Sequence, residues 1–317
     1  MNFNKLNNLV GWLVFLIATV VYFLTLEPTA SWWDCGEYIA TAYKLQVGHP
    51  PGAPLFQMLG RFFSLFALGD VTRVALMINV MSALSSSFTI LFLFWTISML
   101  ARKIMMKEDE ATPKANQYAV LGAAAVGALA YTFSDSFWFS AVEGEVYAMS
   151  SFFTAVTFWA ILKWERVADE PHNYRWLLFI AYLIGLSIGV HMLNLLAIPA
   201  IVYVFYYKKY RVNTKGFIIA GLASLFILGF IMSVIIPLIV QLAGNFELFF
   251  VNGVGLPFTS GTLIYFLLLI AGIVFGLYYS DKKGKVVLNT AILSLMFILI
   301  GYSSFFMLVI RANANTP

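Results

Sequence analysis

Residues 216–241 read Gly216-Phe-Ile-Ile-Ala-Gly-Leu-Ala-Ser-Leu-Phe-Ile-Leu-Gly-Phe-Ile-Met-Ser-Val-Ile-Ile-Pro-Leu-Ile-Val-Gln241, a stretch without a single charge. A helix needs about 20 mostly apolar residues to cross a hydrocarbon core about 30 Å thick, so this stretch is read as a membrane span. Working outward, eight further apolar runs lie near 9–26, 74–100, 117–134, 146–163, 176–190, 192–207, 261–279 and 286–309. The runs at 176–190 and 192–207 are short and nearly contiguous around Val190-His191. They are expected to form a tight hairpin or tilted pair, because one continuous helix would overshoot the bilayer. The expected fold class is an all-α integral membrane protein of about nine transmembrane helices, with residues 1–317 forming a single multi-pass domain.

Composition agrees. Of 317 residues, 61% are hydrophobic and 11% charged, against about 25% charged in soluble domains. That excludes a water-soluble enzyme, a disordered chain and a nucleic-acid module, and no nucleic-acid partner is expected. The net charge of +4 is read as basic inner loops. With Lys5 inside, the inner loops also collect Arg102, Lys103, Lys107, Lys114, Lys163, Arg166, Arg175, Lys208, Lys209, Arg211, Lys215, Lys282, Lys283 and Lys285. Only Lys44, Arg61, Arg73 and Arg311 fall outside, as the positive-inside rule requires of this orientation. The N-terminus is therefore expected in the cytoplasm and the C-terminus outside. The lone cysteine, Cys35, permits no internal disulfide.

The outer face holds eight acids, Glu27, Asp34, Glu37, Asp70, Asp135, Glu143, Glu145 and Glu247. Segment 27–73 is too amphipathic to cross and too long for a simple connection. In Ser31-Trp32-Trp33-Asp34-Cys35-Gly36-Glu37-Tyr38 the tryptophans suit the headgroup level and Ser31 is a candidate N-cap. If 33–46 is helical, Asp34 and Glu37 share a face at i and i+3. The following Gly48-His49-Pro50-Pro51-Gly52-Ala53-Pro54 imposes a fixed non-helical turn, and a second interfacial helix over 55–68 carries Arg61. A headgroup anchor alone has no need of a rigid turn beside paired acids.

Glu143 and Glu145 sit at the mouth of the fourth run among apolar neighbours. Carboxylates at membrane depth are costly and usually face a cavity. His191 and Asn194 fall at the outer tip of the short hairpin. No metal motif with ligand spacing is present; a divalent ion among His49, His191, Asp34 or Glu143 is open but not indicated.

The blocks Trp33-Asp34-Cys35-Gly36-Glu37-Tyr38-Ile39-Ala40 and Gly48–Pro54, with Glu143-Gly144-Glu145-Val146-Tyr147 and Arg311-Ala312-Asn313-Ala314-Asn315, resemble a bacterial membrane family long catalogued as a domain of unknown function. That family is grouped with the protein O-mannosyltransferase-like members of the GT-C glycosyltransferase superfamily. The resemblance implies a GT-C-like fold in the bacterial cytoplasmic membrane and a polyprenyl-phosphate-linked sugar as donor. It also implies that an acidic residue of the first outer loop acts as base on the acceptor. O-mannosyltransferases have adjacent Asp-Glu, whereas Cys35-Gly36 separates Asp34 from Glu37 here. Family members also run on past this point, so the chain resembles an N-terminal membrane module lacking a downstream outer domain.

The expected chemistry is transfer of a sugar to a hydroxyl acceptor, a protein, with inversion. Asp34 takes the acceptor proton and Glu37 orients the acceptor or tunes Asp34. Arg61, then His49, offers positive charge to the leaving phosphate. Glu143 and Glu145 bind sugar hydroxyls or position the turn, with His191 and Asn194 completing the substrate-binding set. The rival classes are a transporter or lipid flippase, which needs ionisable residues along the spans, and a non-catalytic scaffold subunit.

Overall fold

The computed structural model describes residues 2–106 and 113–314; Lys107, the Glu108-Asp109-Glu110 run and Asn315 lie outside the described residues. Among the described residues there is no β-strand. Fourteen α-helices follow in order. They are α1 (Phe3–Leu24), α2 (Cys35–Lys44), α3 (Pro54–Ser64), α4 (Val74–Met105), α5 (Lys114–Thr132), α6 (Asp135–Ala141) and α7 (Val146–Val167). The second half comprises α8 (Tyr174–Ile188), α9 (Ile198–Lys209), α10 (Thr214–Phe230), α11 (Ile236–Leu248), α12 (Ser260–Lys282), α13 (Val286–Tyr302) and α14 (Phe306–Asn313).

Among the described residues six helices are long and apolar enough to cross a membrane, and seven if α5 and α6, bent by 68° at their junction, count as one span. The sequence reading expects nine. The difference lies at 174–209. Here α8 has 15 residues, a 3-10 stretch occupies Met192–Ala197, and α9 has 12 residues with a proline in its first turn. The expected break at Val190-His191 is present, made by Gly189-Val190, and Pro199 fixes the start of α9. The helices on either side of it are each too short to count as spans by length. Both segments still run between the two ends of the bundle. Asn173 at the start of α8 accepts from Trp164 Nε1 near the end of α7, and Gly189 at its other end accepts from Leu55 N–H. The stretch from 214 exceeds its expected limit. Helix continues from Thr214 to Gly253 through π-helical turns at Ile231–Ile235 and Phe249–Gly253. The first of these precedes Pro237, whose missing N–H and ring clash with the preceding turn widen the helix there.

Where helices meet without a solvent to drive them together, close backbone approach supplies the attraction. On α8 and α13 glycines permit it: a Cβ on Gly185 would fall 2.3 Å from Ile298 O, and one on Gly301 2.5 Å from Leu186 N. The interior divides in two. One core gathers α1, α4, α5 and α6 around Tyr22, Ile90 and Phe94; the other joins α2, α3, α4, α7, α8 and α13 around Phe56, Ile78, Ile161 and Trp164. By contrast, α10–α12 present apolar side chains outward, with Leu222, Phe226, Leu267 and Phe275 all exposed. That suits lipid, not water.

The two ends of the bundle differ in chemistry. At one end Glu27 N–H donates to Val142 O, Asn79 Nδ2 donates to the carbonyls of Glu27 and Thr29, and α14 packs over the first loop. At the opposite end lysines pair with acids, Lys103 with Glu165 and both Lys208 and Lys209 with Asp169. The acids Asp34, Glu37, Glu143 and Glu145 all belong to the first end.

Candidate active site

Helix α2 begins at Cys35, with Asp34 in the N-cap position and no side-chain cap bond. The expected cap, Ser31, instead donates its hydroxyl to Glu143. Trp32 and Trp33, before α2, are strongly exposed. One helical turn on, Glu37 reaches across to the following loop. Its Oε1 accepts His49 N–H at 2.6 Å and its Oε2 meets His49 Nδ1 at 3.1 Å. These bonds favour the ionised form and hold the Glu37 carboxyl below its usual range. The loop then turns back: Gly52 N–H donates to His49 O at 2.8 Å, Pro50-Pro51 is cis, and Gly52 takes φ +74°. Gly48 sits in a tight space, since a Cβ there would come 3.1 Å from Glu37 Oε1 and 3.2 Å from Gln57 Nε2 and would press on both side chains.

A carboxylate only accepts, so the Glu37 contact places a proton on His49 Nδ1. His49 Nε2 is then left facing Asp34 Oδ2, 4.0 Å away. The Asp34 side chain is about half exposed, at 52%, and is committed to no backbone group. Tyr38 packs its ring on His49 and Phe56, with centroids 5.7 and 5.4 Å apart. Burial, then the charges of Asp34, Glu145 and Glu37, push its hydroxyl up to about 12, so it stays a neutral donor among acids.

Beneath this exposed trio lies a buried one. Cys35, Glu143 and Glu145 are all buried, and one ligand atom from each lies within 4.8 Å of the others. Burial above all raises both carboxyls. Glu145, with Glu143 and Asp34 adding repulsion, reaches about 7. The Cys35 thiol is pushed up by burial and then by the two glutamates, so it is a neutral thiol donating to Glu143. Glu143 Oε2 has no hydrogen-bond partner, nor does Oδ1 of the fully buried Asn79, which underlies Gly144. The exposed trio Asp34, Glu37 and His49 also brings one ligand atom each within 4.8 Å. Two carboxylates and an imidazole form a donor set that divalent ions accept.

Other candidates sit apart. Arg61 donates from Nη1 to Tyr43 O at 2.9 Å and Ser64 Oγ at 3.3 Å, with its guanidinium 5.2 Å from the Tyr43 ring centre. It therefore belongs to the C-terminal end of α2, a ten-residue helix about 15 Å long, away from Asp34. His191 accepts Leu193 N–H on Nδ1 at 3.2 Å and packs on Tyr147, and burial lowers its pKa. Asn194 is fully buried and ties the 3-10 stretch to Ser187 Oγ at 3.1 Å and Thr157 Oγ1 at 3.4 Å.

Sequence reasoning missed Arg311 as part of this region. The last carbonyls of a helix have no internal partners. On α2 those of Thr41 and Ala42 accept from Gln46 and Leu45 N–H, with Leu45 in the left-handed region at φ +48°. This is a Schellman closure made without glycine. Those of Tyr43, Lys44 and Leu45 accept from arginines, the first from Arg61 and the others from Arg311 Nη2 at 3.1 Å and Nε at 2.6 Å. Arg311→Ala is expected to cost about 1–3 kcal/mol and to speed amide hydrogen exchange over 44–52, with Arg311→Lys intermediate. Unchanged exchange in Arg311→Ala would remove this residue from the site's support.

Residues 34–214 match the family described as the protein O-mannosyl-transferase TMEM260 N-terminal domain. Among curated proteins, the chain is 30% identical over 197 residues to "Protein O-mannosyl-transferase tmem260" of Dictyostelium discoideum, covering 59% of this chain and 22% of that protein. It is 28% identical over 180 residues to "Protein O-mannosyl-transferase TMEM260" of Mus musculus, covering 55% of this chain and 22% of that one. The chain thus spans about a fifth of the length of these relatives. No solved structure matches it. The family match covers more than half of the chain and opens at Asp34 itself, and the chain belongs to the TMEM260 N-terminal domain family of protein O-mannosyl-transferases.

Proposed function

We propose that this chain is the membrane module of a GT-C type glycosyltransferase that moves a sugar from a polyprenyl-phosphate donor to a protein hydroxyl. The reaction takes place at the outer face of a bacterial cytoplasmic membrane, with the N-terminus in the cytoplasm and the C-terminus outside. In this reading the short segments α8 and 192–209 complete nine passes. The observation that carries the chemistry is Asp34: an exposed carboxylate free of backbone bonds, 4.0 Å from His49 Nε2 and held at the head of a short interfacial helix.

A neutral hydroxyl is a weak nucleophile until its proton is taken. Asp34 accepts that proton as the acceptor oxygen attacks the anomeric carbon. The bond from that carbon to the phosphate oxygen breaks, and its electrons leave with the lipid phosphate. Direct displacement inverts the anomeric centre. Glu37 acts on His49, fixing the turn and the imidazole tautomer, rather than on the acceptor. His49 is the cation nearest Asp34 when protonated, so the phosphate contact passes to it, while Arg61 fixes the far end of α2. The buried Glu143 and Glu145 support the loop from below.

The test is sugar release in nanodiscs from a panel of polyprenyl-phosphate sugars, by this chain and by one extended past Pro317. Release from one donor class, with transfer to protein, is the expected result. Folded protein that leaves every donor intact in both forms would refute the proposal.

A further inference from the structure

A cavity of about 760 Å³ opens at the opposite end of the bundle, among α1, α4, α7 and α8. Its volume falls in the range that encloses small ligands, and nothing in the proposed transfer uses it. One wall is a chain of four indoles: Trp12 and Trp95 at 6.2 Å, Trp95 and Trp159 at 6.1 Å, Trp159 and Trp176 at 5.6 Å. Lys163 Nζ stands 5.3 Å above the Trp159 ring centre, and Arg166 lines the same space one turn later.

The charges separate this cavity from an ordinary aromatic belt. Three other lysines at this end are paired: Lys103 with Glu165, Lys208 and Lys209 with Asp169. Among the described residues, neither Lys163 nor Arg166 has a carboxylate within salt-bridge distance. One acid, Glu170, shares the lining, so the cavity carries a net positive charge. Asn4 and Asn8 add amides on the α1 side, and Ser98 donates to Asn7 beside them.

We propose that this cavity binds an anionic glycerophospholipid. Lys163 and Arg166 take the phosphate, the α1 asparagines take headgroup hydroxyls, and the indoles line the path of the acyl chains. Basic pockets between helix ends are built to take such headgroups, and tryptophan suits the boundary between headgroup and acyl chain. A free phosphate ion would leave the indole wall and most of the volume unfilled. A choline headgroup would bring a third cation beside Lys163 and Arg166.

The experiment uses the full chain in detergent, titrated with dioleoylphosphatidylglycerol, dioleoylphosphatidylcholine or glycerol phosphate and read by native mass spectrometry. The wild type is expected to hold one phosphatidylglycerol in preference to phosphatidylcholine and to show no binding of glycerol phosphate. Lys163→Gln with Arg166→Gln is expected to weaken phosphatidylglycerol binding roughly tenfold or more, through loss of two charge-assisted contacts. Lys103→Gln, which removes a paired charge at the same end, should leave it intact. Equal retention of both lipids by the wild type overturns the proposal whether or not the double variant folds. So does undiminished phosphatidylglycerol binding by a folded double variant, or glycerol phosphate binding as well as the lipid.

Discussion

Asp34→Asn is expected to abolish sugar transfer while leaving the protein folded. General-base catalysis contributes about 10²–10⁴-fold, and asparagine keeps the shape of the side chain but cannot take a proton at neutral pH. Folding should tolerate the change, because the Asp34 side chain is half exposed and caps no backbone group. The loss should fall on kcat, with donor affinity little changed, since the role proposed for the carboxylate is on the acceptor. Glu37→Gln provides the contrast. It keeps an oxygen to accept His49 N–H but loses the charge favoured by both His49 contacts, so a partial loss of about tenfold is expected through the turn. Transfer by Asp34→Asn at the wild-type rate would eliminate Asp34 as base.

The second large effect concerns stability. Glu145 is buried and its carboxyl rises from 4.5 to about 7, because burial, then Glu143 and Asp34, disfavour its charge. Between pH 4.5 and 7 the unfolded chain releases a proton that the folded one retains, so stability falls as pH rises through that window. At 1.36 kcal/mol per pKa unit the loss is on the order of 3 kcal/mol and is complete above pH 7. Glu145→Gln has no proton to lose. It is expected to match the wild type near pH 4.5 and to exceed it at pH 8, in thermal unfolding of the detergent-solubilised protein. Equal melting at both pH values, or a variant weaker at pH 8, would show that Glu145 is ionised without cost in the fold.

The legibility of this molecule in its sequence follows the range of each interaction. Uncharged runs such as 216–241 announce membrane helices because every residue contributes to one local property. The trio Asp34, Glu37 and His49 was also readable: two acids a helical turn apart lie just before a turn that Pro50, Pro51 and Gly52 oblige the chain to make. Arg61 was readable as a cation but not as a helix cap, because its partner is a backbone carbonyl, which has no signature in residue identity. Gln57, buried under Gly48, left no signal. The break at Val190-His191 was readable from two short apolar runs, but the helix lengths on either side, 15 residues in α8 and 12 in α9, were not, and hence the span count differed. Arg311 lies 266 positions from Leu45, and no local pattern connects them.

That separation also has a meaning in time. Ribosomes add about 5–20 residues per second, so on the order of 10–50 s pass between synthesis of Leu45 and arrival of the arginine that closes its helix. The first loop to be made waits for a helix made 266 positions later. Until α14 arrives, Lys44 and Leu45 offer their carbonyls to water, and the turn bearing His49 lacks the packing of Leu308 against Gly52. The nascent protein thus carries its acids into the membrane early and acquires their final alignment only when α14 docks, which makes the synthesis of that distant helix a step in assembly of the site.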